Sequence, residues 1–181
     1  MPADLFAVTV DWYGPSYSLT QARQLGREND VEECLYVAYE PRGKQRSYVG
    51  ISKNISARLT PSHHVFGSWP DHSFEVWIGI VKSQSEPGRR PSHSPTTHSE
   101  ALRFAEHVTA YFVGMSMNLR KVDSPPARSG VLLNRWFKLE PDWPRYRKRP
   151  HRNWPDFIEC DKEQEFGRNV YFGGRVQVIT L

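Results

Sequence analysis

Only two cysteines occur in the chain, Cys34 and Cys160. That is too few for a disulfide framework, and neither belongs to a Cys-x-x-Cys pair, so reduced thiols are expected, with Cys34 buried in a strand. No stretch approaches the roughly 18 consecutive apolar residues of a membrane span. The opening, MPADLFAVTVDWYG, lacks the basic start and apolar run of a secretory leader, and a cytoplasmic setting is the expectation. A Gly-rich phosphate loop, a nucleotide fingerprint and a Ser/His/Asp order are also missing. His93, His98 and His107 do not have the compact spacing of metal ligands, so no structural zinc is expected. There is no internal repeat and no low-complexity tract.

What is present suits a globular chain. Hydrophobic residues make up 38% and charged residues 24% of 181 positions, enough for a core without staples. Fourteen prolines and six tryptophans suggest long connections and some exposed aromatic surface. The net charge of +4 is a mild hint of a polyanionic partner, and its distribution says more. Residues 1–40 carry seven acidic and two basic side chains, residues 41–60 five basic and no acidic ones. Between Arg128 and Arg152 eight basic residues face only Glu140 and Asp142. Two basic stretches could track phosphates or could be ordinary solvated faces.

Residues 6–12 read as a short strand. Ser18 and Gln21 have capping-box spacing ahead of a helix to about Arg27. Residues 34–39 and 46–51 are apolar runs joined by EPRGKQ, whose Pro41 and Gly43 favour a hairpin. A short helix over 53–59 and a strand over 74–81 follow, the strand placing Phe74, Val76, Ile78 and Ile80 on one side. Residues 82–98 form a polar, proline-broken loop, either a plain surface loop or an arm carrying Arg89 and Arg90 over a substrate. The next helix starts at Thr97, with Glu100 at capping-box spacing and Leu102, Ala105, Thr109 and Phe112 on its apolar face. Glu106 falls at the edge of that face. A final hairpin joins 170–172 to 176–179 through Gly173-Gly174.

The segment CLYVAYEPRGKQRSYVGISKNISARL resembles the opening of the GIY-YIG nuclease family. Cys34-Leu35-Tyr36 matches the first triplet with cysteine for glycine, and Tyr48-Val49-Gly50 matches the second. Ser52-Lys53-Asn54 looks like the segment after it, and Arg58, ten residues past Tyr48, falls at the family's helix arginine. Glu106 matches the metal-binding glutamate, and Asn118 stands twelve residues beyond it. Some relatives carry a histidine four residues after the arginine. Here that position is Ser62, with His63 and His64 following, either of which could substitute. Met115 stands where a proline is common.

The resemblance implies an α+β fold: a small central antiparallel sheet flanked by helices, with extra N- and C-terminal elements. Residues 1–33 then read as an N-terminal extension and 34–122 as the catalytic core. Residues 123–181 become a basic, Trp-rich extension ending in a hairpin and packed on that core. It also implies a divalent-metal-dependent endonuclease, of which a sequence-specific restriction-type enzyme is one form. Glu106 would hold one Mg²⁺ or Mn²⁺ per active site, a hard ion suited to carboxylate oxygen. Arg58 would hold a phosphate oxygen, and Tyr36, with metal, Arg58 or Lys44 favouring its phenolate, would take a proton from water. Tyr48 would orient water or phosphate, with Gly50, Lys53 and Asn118 in support.

Double-stranded DNA is the expected partner, RNA another candidate, and a homodimer would serve palindromic recognition. Lys44, Arg89, Arg90, Arg145, Arg147, Lys148, Arg149 and Arg152 are the candidate nucleic-acid contacts, with Trp136, Trp143, Tyr146 and Trp154 either stacking on bases or anchoring the segment. Two competing functions are a noncatalytic nucleic-acid-binding module and a protein that binds an acidic partner through its basic tail.

Overall fold

The computed structural model describes residues 6–42, 46–66, 69, 73–85, 98–140, 144–147, 149 and 151–181. In chain order these form β1 (Phe6–Ser16), α1 (Leu19–Glu28), β2 (Cys34–Tyr39), β3 (Ser47–Ser52), α2 (Ile55–Arg58), β4 (Glu75–Ser85) and α3 (His98–Val113). Then come α4 (Leu119–Val122), β5 (Gly130–Lys138), β6 (Arg145–Arg147), β7 (Phe157–Asp161), β8 (Phe166–Tyr171) and β9 (Arg175–Thr180). Nine strands share one sheet in the order β3-β2-β4-β1-β5-β7-β8-β9, with β6 pairing onto β5.

Local chemistry sets several boundaries. Ser18 Oγ accepts from Gln21 N–H at 3.1 Å and caps α1, while the Gln21 side chain accepts from the N–H of Tyr17, one residue before the cap, a variant of the expected capping box. Gly173 and Gly174 have φ of +113° and +114°, which glycine adopts without a Cβ penalty and which closes the last hairpin. Thr97, the expected cap of α3, lies outside the described residues.

The small antiparallel sheet with appended flanks is overturned. β1, assigned to an extension, lies at the centre of the sheet, antiparallel to β4 and parallel to β5. The C-terminal segment, read as an extension ending in a hairpin, supplies five strands of the same sheet. The sheet is therefore mixed, and a crossover joins its parallel pair.

Each sheet face has its own core. On one, Leu35, Val37 and Val49 pack with Val8, Val10, Trp12 and the apolar stripe of α3. On the other, Cys34, Tyr36, Ala38 and Tyr48 pack with Ala22 of α1, Ile55 of α2, and Phe74, Val76 and Ile78. Alternation along β2 thus sends Tyr36 to the α1–α2 side and its neighbours to the α3 side.

Candidate active site

Tyr36 and Gly50 are directly paired across β2 and β3, and Tyr48 pairs with Ala38 on the same face. The phenol rings therefore lie side by side, with centroids 5.9 Å apart. Gly50 makes room for them: a Cβ there would fall 2.6 Å from the Tyr36 hydroxyl and 2.9 Å from Tyr48 Cε1.

Arg58 comes from the single turn of α2. Asn54 caps that turn by accepting from Ala57 N–H at 3.0 Å, and its side chain also accepts from Ser56 Oγ. Arg23 of α1 donates to the Ser56 carbonyl at 2.8 Å, a support that nothing in the sequence pattern singled out. So held, Arg58 Nε donates to Tyr36 Oη at 3.2 Å. Tyr48, its ring centroid 5.9 Å from that of Tyr36, pushes the pKa of both Tyr36 and Arg58 upward. Lys53, just before the cap, is exposed to solvent.

His63 completes the group from the segment after α2. Its Nε2 lies 3.1 Å from Tyr36 Oη, and its Nδ1 accepts from Val65 N–H at 3.2 Å. A nitrogen accepting that N–H cannot carry a proton, so neutral His63 has its hydrogen on Nε2 and donates to Tyr36. Burial, then Arg58 and His64, push the imidazole down to about 4, which keeps it neutral near pH 7. The Tyr36 oxygen thus receives two donors. Burial still pushes this phenol well above its ordinary range, Tyr48 adds to the shift, and Arg58 offsets only part of it.

Exposure separates the two tyrosines. Tyr36 is 0% exposed and Tyr48 9%, while Arg58 and His64 lie open beside them.

Glu106 is placed differently. It is 7% exposed on α3, which packs on the sheet face opposite the phenols. None of the hydrogen bonds or ion pairs among the described residues joins it to Tyr36, Tyr48, Arg58 or His63. Its partner is Lys121 of α4, in an ion pair that the sequence reading did not anticipate.

A route between the two groups runs around the outer edge of β3. Asn118 accepts from Val49 N–H at 2.8 Å and donates to Val49 O at 2.7 Å, pairing like a strand with the backbone between Tyr48 and Gly50. Ser116 and Met117 add bonds to Ser47 on the same edge. Asn118 therefore secures the tyrosine strand and starts the helix that delivers Lys121.

The expected nucleic-acid contacts divide. Arg145 and Arg152 are exposed. Arg149 instead donates to buried Asp156 at 3.0 Å and to the Phe172 carbonyl at 3.1 Å, a structural anchor rather than a free cation. Lys44, Arg89, Arg90, Lys148 and the Arg147 side chain lie outside the described residues. Trp136 and Trp154 are buried, the first stacked on Trp12 and the second edge-on to Tyr39, so they anchor their segments and leave no face for a base.

A cavity of about 730 Å³ between α1 and β4 is lined by Leu25, Asp30, Glu32, Glu33 and Ile80, with none of the candidate residues. Its size fits a small-molecule pocket, but its acidic rim opposes phosphate, and the phenol cluster has the chemistry that the cavity lacks. Among the described residues no three His, Cys, Asp or Glu side chains stand together as metal ligands, and no helix is long and apolar enough to cross a membrane. Comparison with known families, characterised proteins and solved structures returns no match.

Proposed function

We propose that this protein is a divalent-metal-dependent endonuclease of the GIY-YIG kind that hydrolyses phosphodiester bonds in DNA. The observation that carries this reading is that Arg58 and His63, from separate segments, both reach the hydroxyl of Tyr36, with the Tyr48 ring beside it. Two polar donors and a second phenol gathered about one hydroxyl exceed what packing requires. Arg58, firmly cationic and open to solvent, presents the donors that remain after its bond to Tyr36 to a nonbridging phosphate oxygen. Tyr36 is sealed and holds its proton, so it positions Arg58 and Tyr48. Tyr48, the phenol nearer solvent, faces the attacking water, taking over the role that the sequence alone gave to Tyr36. Hydrolysis adds this water at phosphorus, breaks the bond to the 3′ oxygen and leaves a hydroxyl there.

Glu106 is the carboxylate that the resemblance assigns to Mg²⁺ or Mn²⁺. Buried, paired with Lys121 and carried by a helix on the sheet face opposite the phenols, it does not fit an ion that contacts a phosphate beside Arg58, and no step is routed through it.

The test is incubation of the full chain with supercoiled plasmid, duplex oligonucleotides and RNA, with Mg²⁺ or Mn²⁺ and with chelator. Cleavage should require metal and fall on the order of 10²–10³-fold in Arg58→Ala, the scale for removing one preorganised donor. Glu106→Ala should be inactive where the ion is held at this carboxylate and active where it is not. A second reading, a noncatalytic nucleic-acid-binding module, draws on the sealed Tyr36 and the neutralised Glu106. Salt-sensitive binding with no cleavage of either polymer would establish it in place of the first.

A further inference from the structure

We infer that the outer edge of β9 pairs antiparallel with β9 of a second copy, joining two sheets about a two-fold axis. The inference concerns association alone and holds whatever reaction the phenol cluster carries out.

The two ends of the sheet are treated differently. At β3 the outer backbone is occupied by Ser116, Met117 and Asn118. At the other end β9 pairs, among the described residues, with β8 alone. Its side chains are correspondingly bare, Val176 being 53% and Val178 68% exposed. Edge strands ordinarily discourage pairing through lysine, proline, a bulge or short length. β9 has six residues, no lysine or proline, and an unbroken register with β8. Its single charge, Arg175, is turned onto its own fold, 3.7 Å from the Tyr171 ring centroid and donating to the Arg152 carbonyl at 2.8 Å.

Backbone phase fixes how a second copy fits. Leu181 N–H donates to the Glu165 carbonyl at 3.1 Å, directly across the ladder that pairs Phe166 with Thr180. Alternation then turns the polar groups of Arg175, Gln177 and Ile179 towards β8 and those of Val176, Val178 and Thr180 outward. A two-fold axis at Val178 sets that residue against its copy and Val176 against Thr180. All three outward residues of each copy then exchange bonds, and β-branched side chains meet on one face of the joined sheet. The same register carries the two Arg175 side chains to opposite ends of the pair, roughly 20 Å apart, so no like charges face each other. With the β3 end covered, the pairing closes at two copies instead of growing into a filament. The phenol cluster stands at that covered end and stays open in both copies.

Sedimentation velocity of the full chain without nucleic acid, from about 1 to 200 µM, tests the pairing. A contact of two strands is smaller than a standard interface, so the dissociation constant should lie in the micromolar range, roughly 1–100 µM. Val178→Pro removes an N–H that only the partner strand uses and that an edge strand can lose without harm to its own ladder. Val178→Lys places two ammonium groups at the axis. Each should raise the dissociation constant at least about tenfold with an unchanged far-ultraviolet circular dichroism spectrum. Should Val178→Pro alter that spectrum, Val178→Lys alone decides. Leu119→Lys, at an apolar side chain 69% exposed near the β3 end, should leave association intact. A parent that stays monomeric throughout, a dimer that resists substitution at Val178 or is broken by Leu119→Lys, or growth beyond two copies would each overturn the inference.

Discussion

At Gly50 the backbone and two phenol rings share a space that a methyl group would overfill. The residue sits in an ordinary strand, so close approach rather than unusual backbone geometry accounts for it. Gly50→Ala should push Tyr36 off the Arg58 and His63 donors and lower cleavage on the order of 10²-fold, the penalty for misplacing a reacting group by about 1 Å. A cleavage time course read beside circular dichroism separates this from unfolding. His63 carries a second consequence. Its folded value is about 4 against 6.5 for a free imidazole, so as pH falls between those limits the unfolded chain takes up a proton that the native protein refuses. Melting temperature should therefore drop from pH 6.5 towards pH 4, and His63→Gln should flatten part of the slope. His151, also pushed down by burial and then by Arg152, adds a slope of the same sign.

Elements outside the strands decide how the tyrosine edge is held. Asn118 is the only described side chain bonded to the outer N–H and C=O of Val49, a residue with 0% exposure. Asn118→Ala leaves two buried backbone groups without partners, at about 1–3 kcal/mol each. Chemical denaturation should register that loss, and hydrogen exchange should quicken along β3 before the rest of the sheet. The sequence disclosed the β2–β3 hairpin, β4 and the final hairpin because alternation and turn residues survive there without tertiary help. The resemblance named Tyr36, Tyr48 and Arg58, with His63 or His64 as a further candidate, and the fold brings Tyr36, Tyr48, Arg58 and His63 together. The sequence did not disclose β5, because Val131, Leu133 and Phe137 are apolar on the outer face while Asn134 occupies the core side, so the period of two disappears. Nor did it place Glu106, since spacing along α3 says nothing about which sheet face the helix covers. Lys121 was hidden for a related reason: its pairing depends on α4 folding back along the β3 edge.

At the scale of the molecule, the residues resembling a nuclease core do not form a closed unit. β4 needs β1 as its neighbour, and the α3 face is completed by Leu132, Trp136, Trp154 and Ile158. A fragment of residues 34–122 should therefore lack a cooperative thermal transition and dispersed amide resonances, where an autonomous core would show both. Asn134 shows how far the dependence reaches: it accepts from Trp12 Nε1 at 2.8 Å across 122 residues of sequence and donates to the Pro155 carbonyl. The parallel β1–β5 pairing has a consequence for biosynthesis. β1 leaves the ribosome well before β5, its parallel partner along one edge, has been translated. Until then Val8, Val10 and Trp12 have no finished core, and the nascent polypeptide presents an apolar strand with an open edge. Such long-range closure favours slow, late folding, so recovery of soluble protein should depend on expression temperature and chaperone supply more than on native-state stability.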